Sequence, residues 1–360
     1  MKKAFISDCE GPISKNDNAY ELTAHYVPNG ERLFTVISRY DDVLAYVLKR
    51  SNYKAGDTLK LILPFLRVYG VTNRVMRDFS VKTLVLISNV RETLNFIRRE
   101  FYPYIVSTSY EHYIRALCQV LKFPFQNAYC TKLDIDRYTL SLEEKERLRE
   151  LAAEIAKMPV IEIPPQANSL EDFQESHRKA IRRLDEIFWD EIAKMSVGRA
   201  FQEVNPVGGR EKAESIESII KLLGVSLADV VYVGDSITDV EAFKKVREGG
   251  GLTVSFNGNE YAVREAEIAI MSNSALVTAL VANVFFKLGR ETLIELVECW
   301  SPSAVKSLPI AEKLKKFIFQ VYGGRLPQVE VVRAENMERV MRQSTLFRKS
   351  VRGEAIGRLG

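Results

Sequence analysis

The stretch VVYVGDSITD, residues 230–239, joins an unbroken apolar run to a glycine and two aspartates. Four consecutive apolar residues that end at a glycine are typical of a strand buried in a parallel sheet. A helical pattern begins at Glu241, so the stretch predicts a strand–loop–helix unit with Asp235 and Asp239 at the carboxyl edge of the sheet. That edge is where open α/β sheets place their binding and catalytic groups. Taken alone, Asp235 is equally well explained as a helix N-cap.

A second acidic strand end lies near the start of the chain, in FISDCEGPIS, residues 5–14. The apolar run at residues 4–6 stops abruptly at Asp8 and Glu10, which are followed by a glycine and a proline. In isolation this pattern also fits a simple turn, in which Asp8 only shapes the backbone. A functional interpretation therefore depends on the other strand ends.

The rest of the chain alternates between strand-like and helix-like segments. Strands alternating with helices predict a doubly wound parallel α/β sheet that is covered on both faces. Further strands are predicted at residues 83–87, 104–106, 252–254 and 268–270. Three hydroxyl residues, Ser107, Thr108 and Ser109, follow the run at 104–106, and Lys212 lies near the start of a helix over 211–223. Singly, Ser107 also fits a turn and Lys212 a solvated helix residue.

Two helical segments interrupt this rhythm. The sequence predicts a core made of residues 1–16, 81–133 and 206–285, a helical segment over 17–80, and a second helical insert over 134–205. Residues 286–360 are predicted to form a helical, basic extension. Insertions at both places would leave a narrow entrance to the sheet edge, which favours a small-molecule substrate over a protein.

Composition limits the class of protein. With 360 residues and 46% hydrophobic residues, the chain can bury a sizeable core. We expect no membrane partner, because no apolar run approaches the roughly eighteen residues of a membrane span. The four cysteines form no CxxC pair and Lys2 and Lys3 precede only a short apolar run, so a cytoplasmic protein without disulfides is predicted.

The net charge of +4 is unevenly distributed. Residues 301–360 carry twelve Lys and Arg against five Asp and Glu, so the first 300 residues sum to −3. Such a surplus usually marks a solvated face, although an anionic partner fits it as well. No nucleic-acid partner is expected, while a homo-oligomer or a protein partner bound through the basic tail stays open.

In their order along the chain, these segments resemble the haloacid dehalogenase superfamily, whose pattern is Asp-x-Asp-Gly-Thr, then Ser or Thr after a strand, then Lys or Arg, then Gly-Asp-x-x-x-Asp. This chain has Asp8-Cys9-Glu10-Gly11-Pro12, then Ser107, Lys212 and Gly234-Asp235-Ser236-Ile237-Thr238-Asp239. The nearest analogy is the phosphoserine-phosphatase-like branch, as an archaeal-type member with two insertions. The resemblance implies a magnesium-dependent phosphatase that acts on a small phosphorylated metabolite through an aspartyl-phosphate. It also implies that the predicted core is catalytic and that residues 17–80 form a helical cap.

The resemblance also implies a role for each residue. Asp8 would be the nucleophile, Glu10 the general acid and base, Ser107 a phosphate ligand and Lys212 a counter-charge. Mg²⁺ would be held by Asp8, the Glu10 carbonyl, Asp235 and Asp239, with Asp239 either a ligand or the residue that orients one. Substrate contacts are expected from Thr108, Ser109 and, in the cap, Arg39, although Arg39 equally fits a salt-bridged helix start.

A non-catalytic or phosphotransferase member, serving as a scaffold or subunit with a partner-binding tail, is the alternative function. It is favoured by Glu10, which is one methylene longer than the usual Asp, and by Pro12, which replaces the usual Thr. The intact set of the other acidic residues, with Ser107 and Lys212, favours the enzyme. For the enzyme, we expect that removing the tail leaves basal activity and alters assembly or partner binding.

Overall fold

The computed structural model describes residues 2–164 and 166–357, which fold around a seven-stranded sheet. The strand order is β3-β2-β1-β4-β5-β6-β7, and all neighbouring pairs are parallel except β6 with β7. The predicted doubly wound α/β sheet is therefore confirmed. The strands are β1 (Ala4–Ser7), β2 (Tyr102–Tyr110), β3 (Ala128–Thr131), β4 (Val230–Gly234), β5 (Leu252–Phe256), β6 (Ile268–Met271) and β7 (Gln328–Val331).

Helices cover the sheet and build the insertions. The first insertion holds α1 (Asn18–Tyr26), α2 (Gly30–Asp42), α3 (Thr58–Leu61), α4 (Leu63–Val68) and α5 (Asn73–Thr83), and α6 (Val90–Arg98) and α7 (Glu111–Leu121) return to the sheet. The second insertion holds α8 (Leu142–Lys157), α9 (Glu175–Asp185) and α10 (Ala200–Glu203). The remaining helices are α11 (Arg210–Leu223), α12 (Val240–Glu248), α13 (Glu260–Glu265), α14 (Leu276–Leu288), α15 (Arg290–Glu298), α16 (Pro302–Ser307), α17 (Glu312–Tyr322), α18 (Met337–Arg352) and α19 (Glu354–Gly357).

The strand predicted at residues 83–87 is wrong. Thr83 ends α5, and the segment after it runs beside residues 13–15 outside the main sheet. Ile87 N donates to Ile13 O at 2.9 Å and Lys15 N donates to Val85 O at 2.8 Å. A short apolar run does not by itself distinguish a sheet strand from an extended linker. Here the two chain segments that enter and leave the first insertion pair with each other.

Two strands were not predicted from the sequence. β3 is only four residues long and half of it is partly exposed, so its pattern is weak. β7 alternates polar and apolar residues at the opposite edge and pairs antiparallel with β6. β7 lies in the predicted helical extension at 286–360, which therefore contributes one edge strand to the sheet as well as helices.

The two insertions share one hydrophobic core. Apolar side chains of α2 and α4 pack in the same cluster as those of α8 and α9. Tyr40 stacks on Phe188 with ring centroids 5.8 Å apart, and its hydroxyl donates to Asp185 Oδ1 at 2.5 Å. The helices of the two insertions thus form one packed body over the carboxyl edge of the sheet. No helix in the described ranges is long and apolar enough to cross a membrane.

Candidate active site

Asp8 follows β1 and lies at the carboxyl edge of the sheet. The parallel pairing of β1 with β4 brings it beside the second acidic motif, and Asp8 N donates to Val233 O at 2.8 Å. Its Oδ1 accepts from Cys9 N at 2.6 Å and its Oδ2 accepts from Lys212 Nζ at 2.7 Å. Burial raises the pKa of Asp8 to about 7, and the ammonium of Lys212 opposes that rise.

Lys212, in the first turn of α11, is fully buried between two carboxylates. Its Nζ donates to Asp8 Oδ2 and to Asp239 Oδ1, both at 2.7 Å. Burial alone would lower the lysine pKa, but these two carboxylates hold it above its usual range. The same ammonium, with the Tyr232 hydroxyl at 2.6 Å, overcomes burial and holds the pKa of Asp239 below its usual range.

Asp239 organises the loop that carries Asp235. Its Oδ2 accepts from Asp235 N at 2.9 Å and from Ser236 N at 3.0 Å, while its Oδ1 is occupied by Lys212 and Tyr232. Both oxygens are therefore committed to hydrogen bonds. This pattern favours an orienting role for Asp239 over a direct metal contact.

Two glycines allow the acidic groups to approach one another. Gly11 has φ +112°, and a Cβ there would lie 2.2 Å from Oδ2 of Asp235. A Cβ at Gly234 would lie 2.5 Å from the carboxyl carbon of Asp239. Glycine is thus required at both positions because a carboxylate group lies close to the backbone, and at Gly11 also because φ is positive.

The acidic cluster fits a hard divalent cation. Asp8, Asp235 and Asp239 each offer a carboxylate oxygen within 4.8 Å of the others. Among the described residues, Oδ1 of Asp235 is buried and accepts no hydrogen bond, so an acceptor is left over at the centre of the cluster. All-oxygen donors of this kind suit Mg²⁺ rather than zinc.

Hydroxyl groups face the acidic cluster across a cavity of about 110 Å³. Ser107, Thr108 and Ser109 all line it, together with Asp8, Glu10 and Asp235. Ser107 Oγ donates to Ser109 Oγ at 3.0 Å, while Thr108 Oγ1 is buried without a partner among the described residues. The structure thus brings the three predicted hydroxyl residues to the same cavity as the predicted nucleophile.

Glu10 connects the core to the first insertion. Its Oε1 accepts from the backbone amide of Asn18 at 2.7 Å, at the start of α1. Burial raises the pKa of Glu10 well above its usual range, and the negative charge of Asp17 adds to this effect. A buried carboxyl group with a raised pKa is suited to donate a proton.

The first insertion supplies the opposite wall of the cavity. Its polar lining includes Asp17, Ser38, Asp42 and Thr58. Arg39 does not line this cavity; it lines a neighbouring one, and its guanidinium forms an ion pair with Asp42 at 3.1 Å. The predicted direct contact of Arg39 with substrate therefore finds no support. Its side chain instead pairs with Asp42, which lines the cavity.

The basic tail also reaches the site, which was not predicted from the sequence. Arg348 and Arg352 of α18 line the cavity and contact Asp235. The expectation that the tail is dispensable for catalysis conflicts with this placement. An arginine pair spaced four residues apart was the only signal in the sequence, and on a basic amphipathic helix it resembles a solvated face.

The fold and site define a haloacid dehalogenase-like hydrolase. A family profile with that description matches residues 88–280, more than half of the chain, and the chain belongs to this family. The predicted membership is thereby confirmed. The match begins after the first insertion and includes Ser107, Lys212 and both aspartates of the last motif.

Individual relatives differ in how much of the chain they match. The structure of gene product AF1437 from Archaeoglobus fulgidus is 28% identical, covers 100% of this chain and 99% of its own, and superposes with a TM-score of 0.80. A substrate-bound phosphoserine phosphatase is 15% identical, with a TM-score of 0.47 over 78% of this chain and 97% of that one. Trehalose-phosphate phosphatase B from Arabidopsis thaliana is 33% identical over 93 residues, 21% of this chain and 25% of that protein. The chain therefore spans about a quarter of this relative's length.

Proposed function

We propose that this chain is a Mg²⁺-dependent phosphomonoesterase that hydrolyses a small phosphorylated metabolite through an aspartyl-phosphate on Asp8. The observation that carries the proposal is the environment of Asp8. Its carboxylate contacts the buried ammonium of Lys212 and faces a cavity lined by Ser107 and Thr108. A phosphoryl group at that point would meet a nucleophile, a cation and hydroxyl donors together.

Two steps account for the chemistry. A carboxylate oxygen of Asp8 attacks phosphorus, the bond from phosphorus to the substrate oxygen breaks, and Glu10 donates its proton to the departing alcohol. Water then attacks the phosphorus of the aspartyl-phosphate, Glu10 accepts its proton, and Asp8 is released with inorganic phosphate. Lys212 and Ser107 stabilise the charge on the phosphoryl oxygens in both steps. The raised pKa of Glu10 suits its first role as the acid.

A divalent ion fits beside Asp8 and Asp235, and the ligands expected for it include the Glu10 carbonyl, with Asp239 orienting the loop. When bound, Mg²⁺ would neutralise negative charge on the carboxylates and the phosphoryl group, which otherwise repel each other. The unpartnered Oδ1 of Asp235 is the feature of this chain that supports the assignment.

The cavity limits the size of the substrate. A volume of about 110 Å³ holds a phosphoryl group and only a small alcohol, unless the insertions move apart. Ser38, Thr58 and Asp17 on the insertion wall are suited to a polar leaving group with hydroxyl or amino substituents. We therefore propose a compact, polar phosphomonoester as substrate, rather than a phosphoprotein.

The test is hydrolysis of p-nitrophenyl phosphate and of a panel of small phosphomonoesters, with Mg²⁺ or with EDTA. We expect activity that requires the ion and is lost in Asp8→Asn, and a phosphorylated wild-type protein trapped after acid quenching. Release of inorganic phosphate would separate hydrolysis from transfer to an alcohol acceptor. If wild type and Asp8→Asn were equally inert over the whole panel, the alternative of a non-catalytic scaffold would replace the proposal.

A further inference from the structure

The C-terminal helix α18 places two guanidinium groups on one carboxylate oxygen of the active site. Arg348 and Arg352 are one helical turn apart, and their side chains are only 3% and 4% exposed. Arg352 Nη1 donates to Asp235 Oδ2 at 3.1 Å, and Arg348 Nη1 contacts the same oxygen. Arg348 Nη1 also donates to the backbone oxygen of Asp235 at 3.1 Å.

Other contacts hold the helix in this position independently of Asp235. Ser344 Oγ, one turn earlier, donates to Gly258 O at 2.7 Å. Arg352 Nε donates to Lys15 O at 3.0 Å, on the segment that leads from β1 into the first insertion. The helix is therefore anchored to two separate parts of the core, by the Ser344 hydroxyl and by the Arg352 guanidinium.

The two oxygens of Asp235 consequently differ. Oδ2 accepts hydrogen bonds from both arginines, whereas Oδ1 is buried and accepts no hydrogen bond from the described residues. We propose that Arg348 and Arg352 are positioning residues, which hold Oδ2 so that Oδ1 points to a divalent cation as a single ligand atom. The inference deepens the proposed function and rests on it only for the presence of that ion.

The charges of the site are consistent with this role. Seven carboxylates and three cationic side chains line the cavity or contact its acidic cluster, so they sum to −4 when fully ionised, and a bound divalent cation would reduce that charge. These residues are Asp8, Glu10, Asp17, Asp41, Asp42, Asp235 and Asp239, with Lys212, Arg348 and Arg352. Hydrogen-bond partners that orient a ligating carboxylate commonly contribute 10- to 100-fold to metal affinity, roughly the scale expected here.

A competing interpretation predicts the opposite sign. If the guanidinium groups instead occupied the place of the ion, their removal would relieve repulsion and tighten ion binding. The direction of the change in affinity therefore separates a positioning role from an inhibitory one, without any measurement of catalysis.

The experiment measures Mn²⁺ binding to the full chain by electron paramagnetic resonance in the absence of substrate. We expect Arg348→Ala and Arg352→Ala each to weaken binding by about 10- to 100-fold. Arg348→Lys keeps the charge but not the planar fork, so it should recover only part of the affinity. Arg342→Ala, an exposed arginine of the same helix, is the matched control and should bind as wild type does.

Circular dichroism and thermal melting show whether each variant folds. If Arg348→Ala does not fold, Arg352→Ala and Arg352→Lys decide the outcome. Unchanged or tighter Mn²⁺ binding in folded variants would overturn the inference, and so would a wild-type protein that binds no Mn²⁺. Failure of the phosphatase assay with this binding pattern intact would instead remove only the proposed function.

Discussion

Replacing Lys212 by Met should destabilise the fold as well as abolish activity. The lysine is fully buried, and its ammonium is 2.7 Å from oxygens of both Asp8 and Asp239. Met has a similar length without a charge, so the substitution removes the cation and leaves two carboxylates buried together. The mutual repulsion of the carboxylates and their loss of a hydrogen-bond donor both lower the free energy of unfolding.

The magnitude follows from the cost of an uncompensated buried charge. Removing one partner of a buried ion pair typically costs about 3–5 kcal/mol in the free energy of unfolding. The two pairs share one lysine, so we expect a single cost in this range rather than twice that amount. Part of the cost disappears at low pH, because Asp8 already has a pKa raised to about 7 and takes up a proton readily.

The sign of the pH dependence follows from the same linkage. A group whose folded pKa is raised loses its stabilising contribution as pH rises through that pKa. Without Lys212 the pKa of Asp8 should rise further, so the variant should be more destabilised at pH 8 than at pH 6. Urea unfolding in EDTA at both values, monitored by circular dichroism, measures the difference.

Two variants make the interpretation specific. Lys221→Met, at an exposed position of the same helix, should unfold as wild type does. Adding Asp8→Asn to Lys212→Met should recover part of the lost stability, because one of the two stranded charges is removed. A change below about 1 kcal/mol, the range of an exposed pair, would refute the reasoning.

Three further substitutions test other parts of the site. Gly11→Ala should lower the free energy of unfolding by about 1–3 kcal/mol through backbone strain. It should also weaken Mn²⁺ binding, because its Cβ would lie 2.2 Å from Oδ2 of Asp235. Thermal melting measures the first effect and a paramagnetic resonance titration the second, and normal Mn²⁺ binding would contradict the prediction. Burial raises the pKa of Asp41 to about 8, so its stabilising contribution is lost as pH rises through that value, and Asp41→Asn should flatten the fall in unfolding free energy between pH 5 and 9. An unchanged pH dependence of the unfolding free energy would contradict the raised pKa of Asp41. Asn16→Ala removes the acceptor of Val85 N at 2.7 Å, so hydrogen exchange of that amide should quicken, whereas unchanged protection would show that the linker does not depend on Asn16.

Local patterns predicted most of the sheet, because strand formation in a buried parallel sheet depends on short apolar runs. The runs at residues 230–233 and 252–254 lie within β4 and β5. The run at residues 83–87 failed because an extended linker needs the same residue types as a strand. Only the pairing partner, residues 13–15, distinguishes the two.

The order of motifs along the sequence was sufficient to predict that Asp8, Ser107, Lys212 and Asp235 share one edge of one sheet, because the carboxyl ends of parallel strands meet there. Local sequence could not predict that Arg348 and Arg352, more than a hundred residues after Asp235, turn inward to its carboxylate. A buried arginine and a solvated one have the same helical spacing, and which of them faces the core is decided by the surface against which the helix packs. That surface exists only after the sheet and the insertions have assembled.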